Sequence, residues 1–371
     1  MKSATVLIAG AGPAGAACAR QLKKHGIDFI ILDKAAFPRE KPCAGWISPG
    51  VFMLLESPPD AYPHSLHRFN KIVFHFPKWK LPVKTRQYSI KRWEFDNWLL
   101  ESADIQPVRH EVKQIKRDGE FYIIDESWKG RFLVGAGGTH CPVHSFLFPN
   151  SRLSSGDDLI IGLATEAAGA STSPDCHLWF FENGISGYSW YLPKGDGTVN
   201  LGIGARANRL KANGETIIYH WQLFAEKLQK LGWVAEPIPH PRGHYYYLQA
   251  GREIPSGDNI FLIGDSARVS TLDMGEGIYN SIKSGKAVAE VIARELLSGE
   301  KTREFPGDGY PEGASGRQNQ NIGNFSDSLK QEEKPSVFNS GSVARRFGNQ
   351  NPLAKVNRKY SLPGILFPEK I

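Results

Sequence analysis

The hydrophobic pattern begins with an apolar run over residues 5–9 that leads directly into three spaced glycines, Gly10, Gly12 and Gly15. A helical pattern follows, and a second apolar run over residues 29–32 ends on Asp33. This order predicts a strand, a glycine turn, a helix and a second strand. In such a unit the glycines allow a tight turn, close approach of backbone to a pyrophosphate and close packing of helix on strand. The acid about 20 residues on accepts hydrogen bonds from a ribose. A signal peptide is the alternative, but Gly12 and Pro13 interrupt its apolar run.

The pattern of the remaining chain alternates between the periods of strands and helices. Helices are predicted over 49–55, 92–100, 215–231 and 278–297. Strands are predicted within 71–92 and 107–126, over 131–134, 159–165, 177–181, 187–192 and 198–204, and over 259–263. The first β-α-β unit and the last strand–helix pair therefore bracket a β-rich region. This arrangement predicts a mixed α/β (α+β) fold, in which a Rossmann-like nucleotide-binding domain is interleaved with an antiparallel β-sheet substrate domain.

These elements end near residue 300. We expect the nucleotide-binding fold to span residues 1–300, with the substrate-binding β region at about 60–90 and 159–250. From residue 301 to 371, Gly, Pro, Asn, Ser and charged residues dominate without a sustained period. This composition predicts a disordered or poorly ordered tail. A shifted reading frame is a second explanation for so abrupt a change.

Composition narrows the classes of protein. Of the 371 residues, 41% are hydrophobic, which supports a sizeable core, and no apolar run approaches the roughly 18 residues that span a bilayer. The four cysteines show no CxxC pair and no metal-ligand spacing, so we expect free thiols and no metal. These features predict a protein of the reducing cytoplasm, in which peripheral contact with a membrane is an additional expectation.

Two later segments point to the same cofactor as the opening unit. The apolar run 260–263 ends on Gly264 and Asp265, and Gly275 and Gly277 open the last helix. A carboxylate at a strand end can bind a ribityl or ribose hydroxyl, and a helix N-terminus can face the electron-rich edge of a flavin. One helix start for the pyrophosphate and a second for the ring system predict FAD. No second GxGxxG follows a strand, so no dedicated nicotinamide domain is expected.

Six stretches together resemble the geranylgeranyl reductase family, whose members are FAD enzymes related in fold to the aromatic hydroxylases. They are GAGPAGAACA, REKPCAGW, RWEFDNWL, GAGGTHCPV, GYSWYLPKGDGTVNLGIG and FLIGDSA with DMGEGI. The resemblance runs from residue 3 to about residue 297. The pairing of KPCAG with GYSWYLPKGDG is its most specific part.

The resemblance implies a set of binding residues. The adenosine diphosphate half of FAD would contact Gly10, Gly12, Pro13, Ala14, Gly15, Asp33 and Lys34. The flavin, its phosphates and the ribityl chain would contact Arg39, Cys43, Ala44, Arg92, Gly264, Asp265, Gly275, Gly277 and Ile278. The lipid pocket would be lined by Tyr188, Trp190, Leu192 and Pro193. Independently of the resemblance, Tyr188, Trp190 and Leu192 alternate on one face of a predicted strand and form a flat apolar wall, although ordinary core aromatics would show the same pattern.

The chain departs from the family pattern at five places. Ala44 stands where a second glycine is usual, Gly137 where related flavoproteins often have Asp, Leu192 where Phe is expected, and Arg268 at the last glycine of a Gly-Asp-Ala-Ala-Gly pattern. The fifth departure is the tail, where a helical C-terminal segment is expected. The four substitutions bear on the substrate more than on flavin binding.

The resemblance implies a reductase of C=C bonds in a prenyl (geranylgeranyl-type) lipid or diphosphate, in which reduced FAD gives hydride to one alkene carbon and a proton reaches the other. Cys43 is the single candidate proton donor that the resemblance places near the ring, with a buried structural thiol as the alternative. Two other functions stay open: a flavin monooxygenase of an aromatic or polyketide substrate, and a non-catalytic flavin binder with a degenerate C-terminus.

Residues 71–92 hold seven Lys and Arg and no acid, interleaved with aromatic residues. A solvated sheet face is the plain interpretation. The same face could receive an acidic electron-donor protein or rest on an anionic membrane. Electrons would then come from such a reduced carrier, or from NADPH bound transiently. Nothing else in the chain supports nucleic-acid binding, so no nucleic-acid partner is expected.

Overall fold

In a computed structural model of the chain, the structure describes residues 1–149, 159–169, 173–235, 237–248, 256–272 and 274–299. The predicted tail lies outside these residues. The helices of the described part are α1 (Pro13–Lys24), α2 (Pro49–Leu54), α3 (Arg92–Glu101), α4 (Pro142–Leu147), α5 (Ala207–Asn213), α6 (Ile217–Lys230) and α7 (Ile278–Ser298). Within these ranges no helix is both long and apolar enough to cross a membrane.

The strands form two sheets. In chain order they are β1 (Lys2–Ala9), β2 (Phe29–Asp33), β3 (Trp46–Ile47), β4 (Leu66–Phe76), β5 (Trp79–Ile90), β6 (Val108–Arg109), β7 (Ile115–Asp118), β8 (Phe121–Ile124), β9 (Trp128–Gly135), β10 (Leu159–Ala168), β11 (Cys176–Phe180), β12 (Gly187–Pro193), β13 (Thr198–Arg206), β14 (Arg242–Tyr247), β15 (Ser256–Gly257) and β16 (Ile260–Leu262).

The first sheet, which we call the nucleotide sheet, has the order β15-β16-β9-β1-β2-β6, with β7 and β8 attached through β9. Strands β16, β9, β1, β2 and β6 run parallel. Its central strand is covered on both faces, since Val6, Leu7 and Ile8 are fully buried. This burial explains the continuous apolar run in the sequence. Helices α1 and α7 pack together against one face, with Ile282 and Ile292 fully buried.

The second sheet, which we call the substrate sheet, has the order β14-β10-β13-β12-β11-β4-β5-β3. Its pairs are antiparallel except for β11 with β4. One face packs on α6 through Trp179, Tyr191 and Leu201. The opposite face carries an aromatic cluster that also contacts Ala44 and Met274 from the loops beside the nucleotide sheet. A Rossmann-like nucleotide sheet combined with an antiparallel sheet confirms the predicted fold class.

Several local features differ from the expectations. Within residues 107–126, where strands are predicted, β6 pairs parallel with β2 at the edge of the nucleotide sheet, apart from β7 and β8. Helices α4 and α5 and strands β3, β14 and β15 were not predicted from the sequence. The β14 segment, Arg-Gly-His-Tyr-Tyr-Tyr, lacks a clear alternation because it is an edge strand whose residues are mostly exposed or half-buried.

Candidate functional site

The turn between β1 and α1 depends on two glycines, Gly10 and Gly15, because a side chain would not fit at either position. Gly10 has φ of +115°, and a Cβ atom there would overlap the carbonyl oxygen of Ala136 and lie 2.7 Å from the Gly137 nitrogen. A Cβ atom at Gly15 would overlap the carbonyl oxygen of Gly10. Only glycine fits either position, and the two glycines bring the start of α1 against both β1 and β9.

The N-terminus of α1 can bind an anion. Gly12 is the N-cap, Pro13 occupies the first turn, and no side chain caps the helix. The free N–H groups at such a terminus, together with the helix dipole, attract phosphate. Ala14 and Gly15 are buried in this turn, so a ligand would meet backbone rather than side chains.

Arg39 adds a positive charge at the same place. One of its terminal nitrogens lies 3.1 Å from where a Gly12 Cβ would be and 3.3 Å from an Asp96 carboxylate oxygen. Its Nε is buried without a hydrogen-bond partner among the described residues. An unpaired buried donor beside a free helix terminus fits a pyrophosphate, which supplies acceptor oxygens.

Asp33 ends β2 beside the glycine turn. Its two carboxylate oxygens accept hydrogen bonds from the backbone N–H groups of Ala11 at 2.8 Å and Ala35 at 2.9 Å. Each oxygen keeps a further lone pair, so the carboxylate can still accept a ribose hydroxyl. The neighbouring Lys34 is exposed. Its position therefore suits a contact at the rim of the site rather than inside it.

The second cofactor segment meets the first. Gly264 has φ of +64°, and a Cβ atom there would lie 2.9 Å from the Ala14 side chain. The Asp265 carboxylate pairs with Lys41 at 3.4 Å and with His244 at 4.0 Å. Burial acts to raise the pKa of Asp265, but Lys41, His244 and Arg92 together lower it well below its ordinary value. Asp265 is thus an ionised acceptor beside α1.

The start of α7 lies next to this carboxylate. Gly277 is the N-cap without a side-chain cap, and a Cβ atom there would lie 3.4 Å from an Asp265 oxygen. Gly275 has φ of +66°, and its Cβ would lie 2.5 Å from the Tyr246 hydroxyl oxygen. Ile278, the first residue of α7, is buried. The helix termini of α1 and α7 therefore lie on either side of Gly264 and Asp265.

Arg92 and Cys43 lie together at the loop that precedes β3. The Arg92 guanidinium, 7% exposed, donates two hydrogen bonds of 3.0 Å to Asp96, and the Cys43 thiol is near enough to act on the pKa of Arg92. The Gly45 N–H donates to the Cys43 sulfur at 3.4 Å. Cys43 is only half-buried, so its thiol is held in place by polar contacts without being sealed in the core.

Lys194 anchors this loop from the substrate sheet. Its ammonium group, on a side chain that is 3% exposed, donates to the carbonyl oxygens of Ala44 at 2.6 Å and Ile90 at 2.7 Å. Burial lowers the pKa of Lys194 to about 8. Asn200 donates to the Cys43 carbonyl oxygen at 3.1 Å. Lys194, Asn200 and Tyr246 are not among the residues predicted from the sequence, because their partners are far away in the chain.

The predicted aromatic wall has two half-buried members and two buried ones. Tyr188 and Trp190 are half-buried, whereas Leu192 and Pro193 are buried within the sheet. The Tyr188 hydroxyl donates to the Met274 carbonyl oxygen at 2.6 Å, and the Trp190 N–H donates to Asn200 at 2.8 Å. The wall thus faces the loop that opens α7, and Leu192 belongs to the same apolar cluster.

Comparison with known proteins agrees with this geometry. Residues 3–58 match the model of the FAD binding domain family. An uncharacterized protein of Methanosarcina barkeri is 29% identical over 323 residues, which cover 81% of this chain and 77% of that protein. Digeranylgeranylglycerophospholipid reductase 3 of Methanosphaera stadtmanae is 26% identical over 340 residues, which cover 82% of each chain. The chain is an FAD-dependent oxidoreductase that is similar to the geranylgeranyl reductases.

A solved structure has the same fold as this chain. The crystal structure of a geranylgeranyl bacteriochlorophyll reductase-like protein from Thermoplasma acidophilum superimposes with a TM-score of 0.69 at 20% identity, covering 81% of this chain and 80% of that one. The match to the FAD binding domain makes FAD the cofactor of this oxidoreductase. The groups described above fit FAD: two uncapped helix termini and Arg39 are donors, and the carboxylates of Asp33 and Asp265 are acceptors.

Proposed function

We propose that the enzyme reduces C=C bonds of a prenyl, geranylgeranyl-type lipid or its diphosphate. The observation that carries the proposal is the position of the aromatic wall. Tyr188 donates its hydroxyl hydrogen to the carbonyl of Met274, which immediately precedes the Gly275–Gly277 segment at the start of α7. A flat apolar chain lying on Tyr188 and Trp190 would therefore meet the cofactor at that segment. The relative named for digeranylgeranylglycerophospholipid reduction supports the same substrate class.

The chemistry of the wall favours an alkenyl substrate over a polar aromatic one. The polar atoms of Tyr188 and Trp190 are directed to partners within the protein, Met274 and Asn200. The surrounding cluster consists of apolar side chains, among them Phe74, Leu178 and Phe180. A hydroxylase recognises its substrate through placed polar groups, whereas a prenyl chain needs only shape and apolar contact. We therefore rank monooxygenase chemistry second.

When bound, FAD would supply the hydride that reduces the alkene. We propose that Gly10, Gly12, Gly15, Arg39 and Asp33 hold its adenosine diphosphate half. Asp265, Gly275 and Gly277 would hold the ribityl chain and the ring system. The backbone amides of the α1 and α7 termini would then neutralise negative charge at the two ends of the cofactor.

The proton for the second alkene carbon would come from the loop that carries Cys43. Lys194 and Asn200 fix the backbone of this loop, and the Gly45 N–H donates to the thiol sulfur. These contacts hold one proton-bearing group at a defined position beside the proposed ring site. Substitution of Cys43 by Ala should lower the turnover number and leave bound FAD unchanged.

The test is anaerobic incubation of the purified yellow protein with a geranylgeranyl lipid and dithionite, followed by mass spectrometry. We expect the product to gain two hydrogen atoms for each bond reduced. Oxygen-dependent consumption of NADPH with a hydroxylated product would overturn the proposal in favour of a monooxygenase. Replacing dithionite first with NADPH and then with a reduced carrier protein identifies the electron donor.

A further inference from the structure

The β4–β5 hairpin, residues 66–90, is called here the basic hairpin. All six of its Lys and Arg side chains are exposed, and it contains no acidic residue. Lys71 pairs with Asp175 at 2.8 Å. In the part of the chain that the structure describes, no ion pair forms to the other four basic residues of its outer half, Lys78, Lys80, Lys84 and Arg86. Four positive charges are therefore free to meet an anionic surface.

The other face of the same hairpin is apolar and packs against the core of the substrate sheet. Trp79, Leu81 and Val83 alternate with the exposed residues and are half-buried against the aromatic cluster. The Trp79 ring stacks on Phe76 with centroids 4.1 Å apart. Phe76 stacks on Phe180 at 5.5 Å, and Phe180 stacks on Tyr188 at 5.1 Å. These four rings, called here the aromatic stack, connect the hairpin tip with the loop at the start of α7.

We infer that the basic hairpin docks the enzyme on an anionic lipid bilayer, which brings the substrate sheet to the surface where a prenyl lipid is found. The inference rests on the proposed function, because a prenyl lipid partitions into a bilayer rather than into water. Lys and Arg side chains attract anionic headgroups, and Trp is enriched at the interface between headgroups and acyl chains. Lys78 and Trp79 at the hairpin tip place both kinds of contact side by side.

Protection of an edge strand explains only part of this surface. Strand β5 pairs with β3 only at Tyr88 and Ser89, so its outer half lies at the edge of the sheet. Lys80, Pro82 and Lys84 would prevent pairing with another chain. This role does not account for the half-buried Trp79 at the tip, which lies next to the exposed Lys78. Bilayer docking accounts for the charged residues and for Trp79.

The test is sedimentation of the full FAD-loaded protein with vesicles of phosphatidylcholine alone or mixed with phosphatidylserine. We expect binding to the anionic vesicles that weakens as salt is raised. The variant K78Q/K80Q/K84Q/R86Q should bind at least about 100-fold more weakly, because each charge contributes severalfold. A matched variant, K2Q/R109Q/K113Q/K211Q, removes four exposed charges elsewhere and should bind like the wild type.

Equal losses in the two variants, or no binding by the wild type, would overturn the inference. So would a hairpin variant that binds vesicles normally but is reduced more slowly by an acidic electron-carrier protein, since the hairpin would then be a protein-docking face. Vesicle binding is measured without turnover, so its outcome is independent of whether the enzyme reduces prenyl lipids. If both proposals hold, the hairpin variant will be slow with substrate in vesicles and normal with substrate in detergent micelles.

Discussion

The turn before α1 is built from glycines, which have no side chain, whereas the wall of the substrate sheet is built from large aromatic side chains. Added Cβ atoms at Gly10 and Gly15 would overlap backbone oxygens. At Gly202, by contrast, the space above the backbone is filled by the Trp190 ring. The cofactor side therefore takes its shape from the backbone, and the substrate side takes its shape from side chains that could be exchanged. We expect the first to tolerate almost no substitution and the second to determine specificity.

The largest effect should follow from adding one carbon atom to the cofactor side. Gly10→Ala places a Cβ against Ala136 at a φ of +115°, so we expect loss of bound FAD and destabilisation by about 3 kcal/mol or more. Flavin absorbance per chain and thermal unfolding measure both effects. Gly26→Ala is the matched control, since Gly26 also has positive φ, +68°, but no atom lies within 4 Å of the added carbon. It should cost about 1 kcal/mol and keep FAD. Equal FAD content in the two variants would refute the idea that the close backbone packing at Gly10 is needed to bind FAD.

The cofactor side, which is built from short glycine-containing segments, could largely be predicted from the sequence. The glycine turn, Asp33 and the start of α7 were found because each is encoded by a few neighbouring residues whose spacing has a physical meaning. Helix α7 was predicted to within one residue of its end because its buried stripe keeps the helical period.

The contacts that join the two sides could not be predicted in this way. Lys194 and Ala44 are 150 positions apart, and Tyr188 and Met274 are 86 apart. Nothing in the local pattern around Lys194 distinguishes a buried ammonium from the exposed lysine of a hairpin turn. Such pairs depend on how two sheets meet, which the period of each strand does not specify.

The next effect concerns the charge of Lys194, which joins the substrate sheet to the loop that carries Ala44. The pKa of Lys194 is about 8 in the folded protein and ordinarily 10.5. Between these values the unfolded chain binds a proton that the folded chain has released, so raising the pH favours folding. The unfolding free energy of the wild type, relative to Lys194→Met, should therefore rise by up to about 3 kcal/mol from pH 8 to pH 10.5. Denaturant unfolding at several pH values measures the difference, and parallel curves would show that Lys194 titrates normally.

A smaller effect is expected when one bond between the two sides is cut. Tyr188→Phe removes the hydrogen bond to the Met274 carbonyl and keeps the ring in the aromatic stack. We expect a loss of about 1 kcal/mol in stability and a lower kcat with little change in KM, because the apolar wall survives while the α7 loop loses an anchor. Tyr245→Phe, at a side chain that is 49% exposed, serves as the control. A change in KM alone would mean that the hydroxyl contacts substrate instead of the loop.

The smallest effect concerns Arg268, a residue with positive φ on the cofactor side. It tests whether a non-glycine residue is strained at this position. Arg268 has φ of +54° directly after the Gly264–Ala267 turn, and its guanidinium lies 4.5 Å from the centre of the Tyr247 ring. Arg268→Gly should relieve about 1 kcal/mol of left-handed strain and lose a cation–π contact worth about as much, so its stability should barely change. Arg268→Ala loses the same contact without the relief and should be about 1 kcal/mol less stable than the glycine variant. Equal thermal stability of the two variants would show that no strain is stored at this turn, and that the arginine is accommodated without cost where the family pattern has glycine.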